Sequence, residues 1–97
     1  MQWIAVATPP FGAIEQFDQV MEQLGAEEPE GLEARYVGTT DDGLRVVTLW
    51  KSKEHADRFF ANRLGPAFAK VLGPEPAGRP EILGIDVARS YTRQPVG

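Results

Sequence analysis

Apolar and polar residues alternate along this chain in two different periods, and the change between them divides the chain into short elements. Residues 2–7 form a largely apolar run that ends at prolines, which is typical of a buried strand. Over residues 12–24 the period becomes helical, because apolar side chains recur every three or four positions. Gly25 follows directly and suits the end of a helix.

Two extended runs follow, at residues 32–39 and 44–50, and a Thr-Asp-Asp-Gly sequence separates them. An Asp-Gly turn favours a hairpin, because glycine accepts the positive φ that such a turn requires. The second run is apolar at consecutive positions around Val46 and Val47. The sequence therefore predicts a strand that is covered on both faces.

A helix is predicted directly after the hairpin. Ser52 is a suitable N-cap, and Glu54 lies where the positive end of the helix dipole favours an acid. We expect Gly65-Pro66 to interrupt this helix, because proline lacks an N–H and clashes with the preceding turn. The rest of the chain is predicted to form a helical piece at residues 66–72, a loop at 74–80 and a last strand at 81–91.

The resulting order, β-α-β-β-α-β, predicts a ferredoxin-like α+β fold, in which a four-stranded antiparallel sheet carries the helices on one face. The predicted strands nevertheless have apolar side chains on both of their faces. A small sheet with two apolar faces needs a second layer, and a second copy of the same chain commonly provides it. We therefore predict a homodimer joined through the sheet face.

Composition and charge narrow the choice of partner and compartment. The 97 residues are predicted to form one domain, residues 1–97, with a flexible tail at 92–97. The net charge of −4 argues against nucleic acid, because binding phosphates requires clustered lysine and arginine. The chain has no cysteine, one histidine and no apolar run long enough to cross a membrane. We therefore expect no metal, no cofactor, no membrane contact and a cytoplasmic location.

Two residues of the second helix are candidates for chemistry, and each has a plain structural alternative. His55 is either a proton carrier at neutral pH or a half-exposed residue without a catalytic role. Arg63 projects onto the apolar stripe of this helix. There it is either paired with a ligand anion, or turned to water at the helix end.

Three charged residues of the predicted strands also have open interpretations. Asp86 shares a strand face with Gly84, where small neighbours leave room. It either lines a cavity with Tyr36 or Trp50, or lies near an exposed edge while Gly84 permits the close approach of a helix. Arg35 and Arg45 alternate with apolar residues and are interpreted as rim charges.

The segment from Val47 to Ala56 combines an apolar strand, a tryptophan, a serine cap, an acid and a helix start. In this pattern and in its element order, the chain resembles the dimeric α+β barrel proteins, and especially the antibiotic biosynthesis monooxygenase-like branch. The resemblance implies two subunits packed sheet to sheet and a pocket between the sheet and the helices. Many members carry a histidine roughly three helical turns after the tryptophan. This chain has Phe60, Ala61 and Asn62 there.

Some members of that branch oxidise polycyclic aromatic compounds with dioxygen and no cofactor. The resemblance thus implies a small-molecule enzyme, such as a cofactor-independent monooxygenase or a cyclase acting on an aromatic or polyketide-like compound. A non-catalytic dimeric ligand-binding or regulatory module is the alternative. An enclosed cavity of roughly several hundred Å³ that reaches both Trp50 and Asn62 would favour an enzyme or a ligand carrier. The catalytic candidates are His55, Asn62 and Trp50, and the substrate-binding candidates are Tyr36, Arg63, Asp86 and Phe59.

Overall fold

A computed structural model of the protein describes residues 1–9, 12–25, 27–72 and 81–93. The predicted order of elements is confirmed, with the second helix divided into two parts by a π-helical segment. The elements are β1 (Trp3–Thr8), α1 (Ile14–Leu24), β2 (Leu32–Thr40), β3 (Gly43–Trp50), α2 (Lys53–Phe59), the π-helical segment (Phe60–Leu64), α3 (Gly65–Leu72) and β4 (Glu81–Asp86).

The four strands form one antiparallel sheet in the order β2-β3-β1-β4. The hairpin between β2 and β3 closes at the pair Thr40 and Gly43. Gly43 has a φ of 117°, so it supplies the positive φ that the Asp-Gly sequence predicts. This sheet order and the helices on one face are those of the ferredoxin-like fold.

Helix α1 begins two residues later than predicted, because Ala13 is its N-cap and offers no side-chain oxygen to the first turn. Its end is as expected. Gly25 adopts a φ of 86°, and its N–H donates to the carbonyl oxygens of Met21 and Glu22. The helix buries Val20 and packs against α3 on the covered side of the sheet.

The expected break at Gly65-Pro66 is wrong, because the helix continues through it. In a regular α-helix the carbonyl of Asn62 would accept the N–H of residue 66, which proline lacks. The chain instead widens for one turn, so that the Gly65 N–H donates to the Phe60 carbonyl, five residues back. The segment thereby accommodates Pro66 without ending the helix.

The last strand is shorter than predicted, since β4 ends at Asp86 and not at residue 91. Asp86 pairs with Trp3, the first residue of the neighbouring strand β1. One further backbone bond follows, from the Val87 N–H to the Gln2 carbonyl at 3.1 Å.

The pairing register sorts the strand residues onto two faces. The covered face carries Trp3 and Ala5 from β1 and Trp50 from β3, which form a buried cluster with Ala56 of α2. The open face is also apolar, and Tyr36, Leu83 and Ile85 on it are exposed. This open face is defined by Ile4, Val6, Tyr36, Val47, Leu49, Leu83 and Ile85.

Among the described residues, no helix is both long and apolar enough to span a membrane. The loop predicted for residues 74–80 lies outside the described residues, as do residues 94–97 of the tail predicted at 92–97.

Candidate functional site

An apolar cavity lies between the covered face of the sheet and the three helical segments. Its volume is about 60 Å³, and it does not reach Asn62. Its walls come from all four strands on one side and from α1, α2, the π-helical segment and α3 on the other. The four phenylalanines in these walls are Phe17, Phe59, Phe60 and Phe68.

Trp50 forms the floor of the cavity together with two of these phenylalanines. Its ring centroid lies 5.4 Å from that of Phe59 and 6.0 Å from that of Phe60, with interplanar angles of 40° and 75°. The indole is fully buried, and its Nε1–H donates to the Thr48 hydroxyl at 2.8 Å. This hydrogen bond satisfies the one polar group of Trp50, so its buried indole adds an apolar aromatic layer behind the cavity surface.

Arg35 is the one charged side chain among the described residues that line this cavity. It pairs with Thr48 in the sheet register and therefore lies on the covered face, next to β3. Its side chain is 20% exposed, and its Nη2 lies 2.9 Å from Oε2 of Glu28. The interpretation of Arg35 as a rim charge is therefore incomplete, because its side chain is also part of the cavity wall.

A second, polar cleft of about 150 Å³ lies on the outer side of α2 and gathers His55, Arg58, Asn62 and Arg63. His55 Nδ1 is 2.7 Å from the Ser52 hydroxyl, which also accepts the His55 backbone N–H as the N-cap of α2. The imidazole packs directly on the backbone of Gly31, where any larger residue would collide with it. His55 is therefore held in place by the cap and by the loop before β2.

Arg63 links the π-helical segment to the C-terminus of α1. Its Nη2 donates to the backbone carbonyls of Leu24 at 2.8 Å and Glu27 at 3.1 Å. These carbonyls lie at and beyond the C-terminus of α1, where the helix dipole favours a cation. Its guanidinium also lies 5.8 Å from the ring centroid of Phe59. Arg63 is therefore not turned to water at the end of its own helix, as one alternative held, but is bonded to carbonyls at and beyond the end of α1.

The sequence placed Trp50, Tyr36, Asn62 and His55 around a single pocket, and the structure does not bring them together. Trp50 lines the cavity, whereas His55 and Asn62 line the cleft on the other side of the helix. Tyr36 pairs with Val47 in the register, so it lies on the open face and is 69% exposed. Phe59 lines both spaces and is the wall between them.

Asp86 is exposed at the end of the edge strand β4 and is absent from the described walls of both spaces. Of the two alternatives for this residue, the exposed edge is the observed one. Gly84 does permit a close approach, but the approaching group is the indole of Trp3 and not a helix. A side chain at position 84 would collide with that ring.

The charges near the start of α2 are organised by the N-cap. The pKa of the Glu54 carboxyl is lowered by a hydrogen bond from its own backbone N–H and, second, by the Ser52 side chain. Glu54 is fully exposed, so this effect belongs to the helix start and not to either pocket. In the described part of the chain, no three histidine or carboxylate side chains converge to hold a metal ion.

Comparisons with known proteins agree with this geometry at the level of fold. No protein-family model matches the chain, and no curated protein matches it in sequence. Solved structures do match it over nearly its whole length. A dimeric ferredoxin-like protein of unknown function from Jannaschia sp. CCS1 covers 90% of this chain and all of its own, with 14% identity and a TM-score of 0.60.

Two further structures carry the name of a monooxygenase. A monooxygenase of Streptomyces coelicolor in complex with nanaomycin D is 17% identical, with a TM-score of 0.59, and covers 96% of this chain and 92% of its own. A candidate antibiotic biosynthesis monooxygenase of Caulobacter crescentus CB15 is 21% identical, with a TM-score of 0.59, and covers 91% of each chain. The chain therefore has the ferredoxin-like α+β fold of these structures.

Proposed function

We propose that this protein is a small-molecule-binding dimer whose ligand enters the apolar cavity between sheet and helices. The observation that carries this proposal is a cavity walled by aromatic rings beside a buried tryptophan that has its polar group satisfied. Such a space favours a flat apolar compound, because burial of apolar surface is the main source of affinity there. The matching structures, among them a dimer and a complex with nanaomycin D, support both parts of the proposal.

The cavity can be tested with a neutral one-ring probe, because the chain has two tryptophans and only Trp50 lines the cavity. Toluene is expected to shift the indole N–H resonance of Trp50 and to leave that of Trp3 nearly unchanged. Ala7 also lines the cavity. Ala7→Leu fills part of the space and is expected to weaken toluene binding at least about 10-fold. Equal shifts at both indoles, or unchanged binding in the variant, would overturn the proposal.

A finer proposal is that the bound compound is oxidised by dioxygen without a cofactor, as in a monooxygenase. The likeness to a solved monooxygenase supports it. For 1-naphthol the balanced reaction gives 1,4-naphthoquinone and one water from one O₂, with the ring supplying all four electrons. The His55 and Asn62 side chains line the outer cleft and not the cavity. Their proposed catalytic role therefore requires that the substrate extend past Phe59.

Oxygen uptake separates this enzyme from the non-catalytic binding module. If the finer proposal holds, 1-naphthol is expected to consume oxygen in a 1:1 ratio, and Ala7→Leu is expected to slow the uptake as it weakens toluene binding. Binding of toluene together with oxygen uptake no faster than in buffer would favour the non-catalytic dimeric module instead.

A further inference from the structure

Arg35 is the one cation among the described residues of a wall that is otherwise uncharged. Its side chain is 20% exposed, whereas the Glu28 side chain that pairs with it is 64% exposed. Most of the Arg35 side chain has thus left water on folding, before any ligand binds. A preorganised and partly desolvated cation binds an anion more strongly than an exposed one does.

The ion pair with Glu28 is a weak competitor for this guanidinium. Glu28 lies in the loop before β2, and its carboxylate oxygens lie 2.9 Å and 3.5 Å from Nη2 and Nη1 of Arg35. An ion pair with one well-hydrated partner contributes little to stability. A ligand acid that reaches Arg35 from the cavity would be shielded from water on its apolar side, where the attraction between charges is stronger.

We propose that Arg35 is the anchor for an acidic oxygen group, so that the ligand class is a small apolar ring compound carrying one carboxylate. The ring would lie against the aromatic wall near Trp50, and the carboxylate would accept hydrogen bonds from the Arg35 guanidinium in place of Glu28. The net charge of −4 repels anions in general, so the preference must come from this local contact. This inference rests on the proposed function, because it requires the cavity to admit a ligand.

Benzoate and benzamide test the inference, because they have nearly the same shape and differ in charge. Isothermal titration at pH 7 is expected to give benzoate a dissociation constant about 10-fold lower than that of benzamide. Arg35→Met is expected to remove this preference, so that benzoate and benzamide bind with equal affinity. Arg58→Met removes the same charge from the outer cleft, beyond the cavity walls, and is expected to keep the preference.

Glu28→Gln provides an independent test that does not alter the cavity wall. Removing the competing carboxylate is expected to tighten benzoate binding about 3-fold and to leave benzamide binding unchanged. Equal affinities for the two probes in the unmodified protein, or a preference that survives Arg35→Met, would overturn the role of Arg35 while toluene binding still supported the proposed function. Failure of toluene to bind would overturn both.

Discussion

The two faces of the sheet carry similar apolar side chains but differ in what covers them. On the covered face, the helices pack over Trp3, Ala5 and Trp50 and enclose the cavity. On the open face, Leu83 is 63% exposed and Ile85 is 42% exposed. Strand alternation alone therefore does not decide which face is buried, because both faces satisfy it equally.

The two faces therefore offer two kinds of surface, a cavity on the covered side and an exposed apolar patch on the open side. On the covered face, the helices and the sheet leave a cavity that aromatic side chains line. The open face presents two rows of apolar residues across all four strands, with Val6 and Val47 paired at its centre. An apolar patch of this kind usually marks an interface, and a second copy of the chain offers a patch of the same chemistry.

A charged side chain at the centre of the open face is expected to have the largest effect, because it would disrupt the proposed interface. Val47→Lys would place an unpaired ammonium in the proposed sheet-to-sheet interface, and such burial costs several kcal/mol. We expect the dissociation constant of the dimer to rise at least about 100-fold. Sedimentation equilibrium at micromolar concentration measures the change.

Gln19→Lys is the matched control for that experiment, since it adds the same group on the exposed side of α1. It is expected to remain a dimer. A sedimentation result that finds the unmodified protein to be a monomer would contradict the dimer itself. A Val47→Lys variant that stays dimeric would move the interface away from the open face.

Two glycine-to-alanine substitutions, one on each face, compare how tightly the faces are packed, and their expected effects are smaller than that of Val47→Lys. Gly84→Ala points a methyl group into the indole of the buried Trp3 on the covered face, and we expect it to lower the free energy of unfolding by about 1–3 kcal/mol. Gly38→Ala meets no atom within 4 Å on the open face of one chain, and its effect is expected to stay within about 0.5 kcal/mol.

Urea denaturation of both variants at one protein concentration measures the difference, since dimerisation makes stability depend on concentration. Equal losses at the two glycines would mean that the covered face is not the more tightly packed one at this edge. A large loss at Gly38 alone would indicate that a partner chain packs closely on that strand.

Much of the fold was predictable because its signals are local. The period of α1, the glycine after it, the Asp-Gly turn and the Ser52 cap each act within a few residues. The break at Gly65-Pro66 was the exception, because sequence shows that proline removes a donor but not how the helix responds. The π-helical turn adds a residue, and it turns Asn62 and Arg63 outward while Phe60 and Leu64 face the cavity.

The candidate site was less predictable because its contacts are distant in sequence. Arg63 reaches the carbonyl of Leu24, 39 residues earlier, and no spacing rule indicates such a pair. The sequence alone could have shown that Tyr36 does not share a cavity with Trp50. The two-residue turn Asp41-Asp42 pairs Tyr36 with Val47, and this register puts Tyr36 on the face opposite to Trp50.

The smallest expected effect on stability comes from removing the N-cap of α2, the helix that packs over the covered face. Ser52→Ala removes the hydroxyl that accepts the His55 N–H, and loss of an N-cap costs about 1 kcal/mol. Ser90→Ala, at an exposed position after β4, is the control and is expected to be neutral. Because the open face does not depend on this cap, the dimer dissociation constant is expected to stay within about 3-fold.

Ser52→Ala is also expected to change how strongly acid destabilises the folded protein. The pKa of Glu54 lies below its usual value near 4.5 in the folded protein, so its carboxylate stabilises the fold above that pH. This contribution is lost as the pH falls through the lowered pKa, and the loss is expected to be smaller in Ser52→Ala because one of the hydrogen bonds to Glu54 is gone. Thermal unfolding of Ser52→Ala and of the unmodified protein, each at pH 7 and pH 3, measures the effect. If the melting temperature falls equally in both proteins between these pH values, the link between Ser52 and Glu54 is contradicted.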